Sequence, residues 1–280
     1  AGAGAQNLSL LATDFSDSRD GVFAIVDVKA NAVEYRTELS GIVTDGQSFN
    51  ITPAQWSIPE LFSARLSMSF RFEGLIMEGL EDLCQYPYGC NEQTMSCLLP
   101  NILVWKYLDN LDKLTNVTRQ KLTKNILHGI EKLLYTQHED GGWGWYKDDQ
   151  THPFMTAWIL YGLAIVNRGG FYIDPAVLHD GQQALLGMMN SDCSWTGTKW
   201  MYGNDVAMSA FCVLALAASG YPGPLMDRAV GRLRSYWAGG TVAGAYETAL
   251  IALALSEAHL DAGPEAAWLA TSMDGDHWQG

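Results

Sequence analysis

The stretch EDGGWGWY, Glu139–Tyr146, precedes HPFMTAWILYGLAIVNRGG, which begins at His152. The first piece is an Asp/Gly/Trp turn. The second carries apolar residues at three- and four-residue spacing, the period of a helix with a buried face. The combination recurs. SDCSWTG (Ser191–Gly197) leads into DVAMSAFCVLALAASGYPG, AGAYETALIALALSEAHLDAG (Ala243–Gly263) is a third copy of the helix, and DGDHW (Asp274–Trp278) opens a further unit. Each helix carries Thr or Ser followed by Ala, and the steps from Ala157 to Ala210 and from Ala210 to Ala249 are 53 and 39 residues. Repeats near this length describe helix pairs that cannot bury their apolar faces alone and must stack. The expected fold is an α/α toroid with inner and outer helices alternating around a ring. Ala- and Gly-rich faces suit the close-packed inner helices. Trp143, Trp145, Trp195 and Trp278 suit packing anchors at the turns.

Outward from the repeat, helical spacing extends back through Val117–Gln137, Thr94–Leu111 and Phe72–Tyr86, with Gly, Pro and Asp as punctuation. Before about Phe72 the texture changes. Val22–Val28, Ala32–Val43, Gln47–Thr52 and Ala64–Phe70 carry β-branched and aromatic residues in partial alternation, separated by turn residues. These strands are too few for a complete sandwich. The expected organisation is a partial β segment over 1–64 and an α/α toroid over 65–280. The chain stops partway into a repeat and is read as a fragment truncated at both ends.

Composition narrows the function classes. The 280 residues are 48% hydrophobic and 17% charged, with a net charge of −14 and only 17 Lys and Arg. Such an acidic chain lacks the basic surface that phosphate backbones require, so nucleic acid is not an expected partner. The longest apolar run, Val206–Ser219, is too short for a membrane span and reads as a buried helix. No signal peptide is visible at the start. The five Cys form no CxxC pair and no Cys/His cluster, so no metal site is expected.

The chemistry concentrates in QYPYGCNEQTMSCLLP, Gln85–Pro100. On the residues alone two readings stay open. In one, a Pro-Tyr-Gly turn meets an ordinary helix start and Cys90 is an inert buried thiol. In the other, Cys90 and Gln93 face each other across one helical turn. A Cys90 thiolate attacking the Gln93 side-chain carbonyl would expel ammonia and leave a γ-glutamyl thioester, an acyl group stored inside the protein. The helix N-terminus would favour the thiolate, and Glu92 would handle protons. Pro87 and Gly89 would fix the bend. Tyr86, Tyr88 and Met95 would shield the bond from water.

YPYGCNEQ resembles the thioester motif of the alpha-2-macroglobulin and complement family, whose core is Gly-Cys-x-Glu-Gln. The longer YPYGCNEQTMSCLLPN, together with DGGWGWYKDDQTHPFMTAWILYGLA, is similar to its bacterial branch. The resemblance implies that Cys90 and Gln93 are the thioester residues, that Asn91 fills the variable position, and that 65–280 is the thioester domain, preceded by part of a CUB-like domain or by adjoining macroglobulin strands. It implies a broad protease trap that couples stoichiometrically to Lys amines of its targets. The remaining macroglobulin domains of a longer chain are expected partners, and no cofactor is needed beyond the internal thioester. The expected location is extracytoplasmic, in the periplasm or at the cell surface. Rapidly reacting members carry a His in the second-repeat loop that directs acylation to hydroxyls. Here that loop, SDCSWTGTKWMYGND, has none; Asn204 and Lys199 are its nearest polar candidates, which points to amine preference. His152, in the first repeat, is expected to be a helix-start neighbour of Pro153 and not a catalytic group.

Two other function classes stay open at this point. One is an adhesin or opsonin-like protein that tags surfaces through the same bond. The other is a toroid cyclase or lyase in which the Cys90–Gln93 spacing is accidental, although no Asp-rich acid motif is present. Cys84–Cys97 and Cys193–Cys212 are pairings an oxidising compartment would allow, against the plainer expectation of buried thiols. The sequons at Asn50 and Asn116 matter only in a eukaryotic host.

Overall fold

The computed structural model describes residues 4–13, 19–28, 52–55, 63, 87, 89–197, 203–242, 244–273 and 278. The chain divides into two compact units, Ala1–Leu66 and Ser67–Gly280. In the first, strands β1 (Gly4–Thr13) and β2 (Arg19–Val28) form an antiparallel ladder running from Gly4 opposite Val28 to Thr13 opposite Arg19. β2 contains the expected strand at Val22–Val28. β1 is a correction to the sequence reading, whose first strand began at Val22. Its sequence, GAQNLSLLAT, is dominated by residues of low β propensity, and pairing with β2 overrides that preference. The expected strands at Ala32–Val43 and Ala64–Phe70, and the helix at Phe72–Tyr86, lie outside the described residues. So does most of Gln47–Thr52, whose last residue is irregular.

The second unit is all α among the described residues. Its helices are α1 (Asn91–Asn110), α2 (Asn116–Tyr135), α3 (Pro153–Arg168), α4 (Pro175–Gly187), α5 (Asp205–Ala218), α6 (Pro224–Ala238), α7 (Ala245–Glu257) and α8 (Gly263–Thr271). Helices α1, α3, α5 and α7 pack one against the next. Each also packs against the helix that follows it, α2, α4, α6 and α8 respectively. This is the inner and outer layering of an α/α toroid. The layers differ in composition for a physical reason. Inner α5 has neighbours on nearly every side and buries every residue from Val206 to Leu216, whereas inner α7 buries Thr248, Ile251, Ala254 and Leu255. Outer α6 buries only Ala229, Val230, Leu233 and Tyr236 and turns its charged residues to solvent. Each fully buried Leu, Ile or Met in this core contributes about 1.5–3 kcal/mol.

The Trp turns join the layers. Trp143 is fully buried, and its indole N–H donates to the Leu133 carbonyl at the end of α2, 2.8 Å away. Trp195 repeats this with the Leu185 carbonyl of α4 at 2.8 Å, and Trp278 with the Leu269 carbonyl of α8 at 2.8 Å. Each ring thus adds a second donor to a last-turn carbonyl that already accepts from the C-terminal side: Leu133 from the Thr136 hydroxyl, Leu185 from the Met188 amide and Leu269 from the Ser272 amide. The repeated hydroxyl completes the joint. The Trp143 amide donates to Thr156 Oγ1 at 3.0 Å, and the Trp195 amide to Ser209 Oγ at 2.9 Å. Thr248 in α7 and Thr94 in α1 occupy the corresponding place and are also fully buried. Helix α1 is therefore a further inner element, which the sequence repeat did not include. It runs through Pro100, where Asn101 Nδ2 bonds the Cys97 carbonyl at 2.7 Å and Asn125 Nδ2 reaches Asn101 Oδ1 at 3.2 Å across to α2.

Candidate functional site

The segment Gly89–Thr94 begins α1, with Cys90 as its N-cap residue in extended conformation. Its polar groups are held on several sides. The Gly89 carbonyl accepts from Lys132 Nζ of α2. The Cys90 carbonyl accepts from both the amide and the hydroxyl of Thr94, each at 2.9 Å. The Cys90 amide donates to Gln93 Oε1 at 3.0 Å. The Gln93 side chain therefore folds back over the preceding turn, bringing its carbonyl to the backbone of the residue that carries the thiol.

Gly89 makes this fold possible in two ways. Its φ of +90° lies where side chains are strained, and a Cβ there would stand 1.8 Å from Gln93 Oε1 and 2.7 Å from Gln93 Cδ. The space a side chain would take is the space the Gln93 carboxamide occupies. The Gly-Cys-x-x-Gln spacing thus has a steric basis as well as a helical one.

Asn91 is 1% exposed. Its amide donates to the Trp145 carbonyl at 2.9 Å, its Nδ2 to the Gly144 carbonyl at 2.9 Å, and its Oδ1 accepts from Thr136 Oγ1 at 2.9 Å. The first Trp turn and the end of α2 therefore grip the Cys90–Gln93 segment directly. Neither Asn91 nor Lys132 was singled out for this from the sequence, because both act through residues about forty or more positions away.

Glu92 accepts from Ser96 Oγ at 2.9 Å. It also edges a cleft of about 210 Å³ lined by Phe154 and Trp158 of α3, Phe211 of α5, and Tyr246 and Leu250 of α7. Among the described residues, all four inner helices thus contribute to one mainly apolar hollow bordered by a carboxylate. Cys97 lies one turn further along α1. Burial pushes its thiol up, the Glu92 carboxylate adds to the rise, and Lys132 works against them.

Of the other expected site residues, Pro87 is buried, while Tyr86 and Tyr88 lie outside the described residues. Met95, expected as a shield, is fully buried in the core. A Cβ on Gly162 of α3 would stand 1.9 Å from its methyl carbon, so the place found for Met95 is in the packing of α1 against α3. His152 is the N-cap residue of α3, with its ring edge-on to Trp145 at 4.8 Å. Asn204 caps α5 by accepting from the Ala207 amide at 2.9 Å and donates to Glu247 of α7. Lys199 lies outside the described residues, as does Cys84. Cys193 and Cys212 are both buried and free, and burial raises the Cys212 thiol well above its ordinary value. Among the described residues, no helix is long and apolar enough to cross a membrane.

The sequence model of the A-macroglobulin TED domain matches residues 63–269. The chain is 29% identical over 144 residues to the alpha-2-macroglobulin of Thermotoga maritima, an alignment covering 51% of this chain and 8% of that protein. It is 27% identical over 158 residues to ovostatin of Gallus gallus, covering 53% of this chain and 11% of that one. Its structure resembles native Escherichia coli alpha-2-macroglobulin from domain MG7 to the C-terminus, with a TM-score of 0.50 and 23% identity, over 70% of this chain and 30% of that one. It also resembles Salmonella alpha-2-macroglobulin reacted with methylamine, with a TM-score of 0.51 and 23% identity, over 72% and 13% of the two chains. The structural likenesses speak for the fold. The matched region spans about a tenth of each curated relative's length.

Proposed function

The chain belongs to the A-macroglobulin TED-domain family, and from that premise we propose that Cys90 and Gln93 form an internal thioester that captures protease amines. The observation that carries this is the Gln93 carbonyl held 3.0 Å from the Cys90 amide. Attack of the Cys90 sulfur on Gln93 Cδ places negative charge on Oε1, where the Cys90 N–H already donates. That N–H acts as an oxyanion donor supplied by the nucleophile's own residue. Collapse expels the carboxamide nitrogen as ammonia, which takes up the thiol proton, and leaves the Sγ–Cδ bond. An incoming amine reverses the roles: it bonds to Cδ, the Cys90 sulfur leaves and regains a proton, and an amide remains. Glu92, on the same helical turn, accepts the proton that the amine loses.

The cleft beside Glu92 supports an amine with an apolar stem as the acceptor. Its aromatic and aliphatic walls suit the four-carbon stem of lysine, and its carboxylate suits the approaching ammonium. The second-repeat loop lacks a His that would divert the acyl group to hydroxyls. Each coupling consumes the thioester, so the function is stoichiometric trapping and not turnover. The trap acts outside the cytoplasm, as part of a longer macroglobulin chain whose other domains admit the protease.

Incubation with an active protease should give a conjugate that survives denaturation, and its yield should fall when the protein is first treated with methylamine. A conjugate that forms equally well with Cys90→Ala contradicts this function.

A further inference from the structure

We propose that Asn91, at the one position the Gly-Cys-x-Glu-Gln core leaves open, is a positioning residue for the thioester, locking the Cys90–Gln93 turn to the first Trp loop. The inference rests on the thioester reading above and adds to it a part of the molecule that the motif does not contain.

The lock is a continuous chain of buried contacts. Trp143 is fixed to Leu133 through its indole and to Thr156 through its amide. The two carbonyls that follow it, of Gly144 and Trp145, accept from Asn91 Nδ2 and from the Asn91 amide, at 2.9 Å each. Asn91 Oδ1 takes the Thr136 hydroxyl, so both ends of the carboxamide are used. The loop is itself held from the outside. Asp149 Oδ2 accepts from the Trp145 amide at 2.9 Å and the Tyr146 amide at 3.1 Å, and the Lys147 ammonium lies over the Tyr135 ring. A residue at this position with no side-chain donor leaves the Gly144 carbonyl unpaired in a buried place. The first turn of α1 then keeps its backbone tie to Trp145 but loses the side-chain one, and the approach of the Cys90 sulfur to Gln93 Cδ is less firmly set. Chemistry of this kind loses rate steeply when reacting atoms move by about an ångström.

Asn91→Asp isolates the lock. It keeps the acceptor for Thr136 but sets a carboxylate oxygen against the Gly144 carbonyl. Asp149→Ala loosens the same loop from its exposed side, making no change within residues 89–93. In the purified protein, well below its melting temperature, two quantities are read by intact mass: the fraction of chains lacking one ammonia, and the rate at which that fraction decays in buffer. Both variants should close the thioester less completely and lose it faster, Asn91→Asp by about tenfold, the size one buried hydrogen bond gives, and Asp149→Ala by less. Melting temperature is followed alongside, because a residue that only supports the fold would lower it and leave the decay rate of folded protein unchanged. Variants that match the parent in both yield and decay, to within about twofold, overturn this inference alone. A parent protein that never loses ammonia overturns the thioester reading and this inference together.

Discussion

The loops of residues 136–152 and 188–204 have the same length and the same anchor, yet among the described residues only the first grips the Cys90–Gln93 segment. In each, a buried Trp donates to the last turn of an outer helix and to a hydroxyl of the next inner helix. Beyond the anchor they diverge. The first loop closes on itself through Asp140, which accepts from the Gly142 amide and the Thr151 hydroxyl, and through Asp149. It then offers the carbonyls of Gly144 and Trp145 to Asn91. In the second, Asp192 accepts from Ser194 and turns outward to Arg232 of α6. The third connection, residues 239–244, is short and carries no Trp. The anchor builds the toroid. The backbone carbonyls that one copy leaves facing α1 build the site.

Removing the anchors should have the largest effect and should separate these roles. Trp143→Ala and Trp195→Ala each empty a fully buried ring site and should cost about 3–5 kcal/mol in thermal denaturation. Only Trp143→Ala should also lower thioester yield in the chains that remain folded. Equal loss of thioester from both would break the comparison. The hydroxyl joints come next. Thr156→Val and Ser209→Ala each strand a buried Trp amide, at about 1–2 kcal/mol. Thr248→Val should cost less, since among the described residues that hydroxyl bonds only the Gly244 carbonyl at its own helix start.

Acid should have the smallest effect, read by hydrogen exchange at the two loops. Burial raises the Asp140 carboxyl, but bonds from the Gly142 amide and Thr151 hydroxyl, with His138 nearby, outweigh it and hold the group below the ordinary carboxylate value. Asp192 is held low first by the Ser194 hydroxyl. A depressed folded pKa contributes stability above the unfolded value and loses it as pH falls through the folded one. Both loops should therefore loosen only below about pH 4. Above that range, where both wild-type carboxylates are charged, faster thioester decay should follow Asp140→Asn and not Asp192→Asn.

Much of this was legible in the sequence, and what was missed has physical reasons. The Trp turns and the Thr/Ser-Ala helices announced the layered fold, because period and turn chemistry are local. The irregular spacing of the repeat has its source in the short third connection. Helix α1 escaped the repeat because its Thr94 is followed by Met95 and not by Ala, although Thr94 is just as buried as its counterparts. β1 was missed because its small residues form a strand only by pairing. The Cys90–Gln93 spacing was visible. The steric role of Gly89 against the Gln93 carboxamide, the Lys132 bond and the Asn91 lock were not, since each depends on which distant segment arrives beside α1.

The central claim is that Cys90 and Gln93 share a bond. Mass spectrometry of the intact purified protein, before and after methylamine, tests it most directly. With the bond closed, the protein should weigh one ammonia less than its sequence, and Cys90 should resist alkylation. Methylamine should then add once, at Gln93, and unmask Cys90 in the same step, with no uptake in Cys90→Ala. Full sequence mass, with Cys90 alkylated at once and no methylamine incorporated, would contradict it.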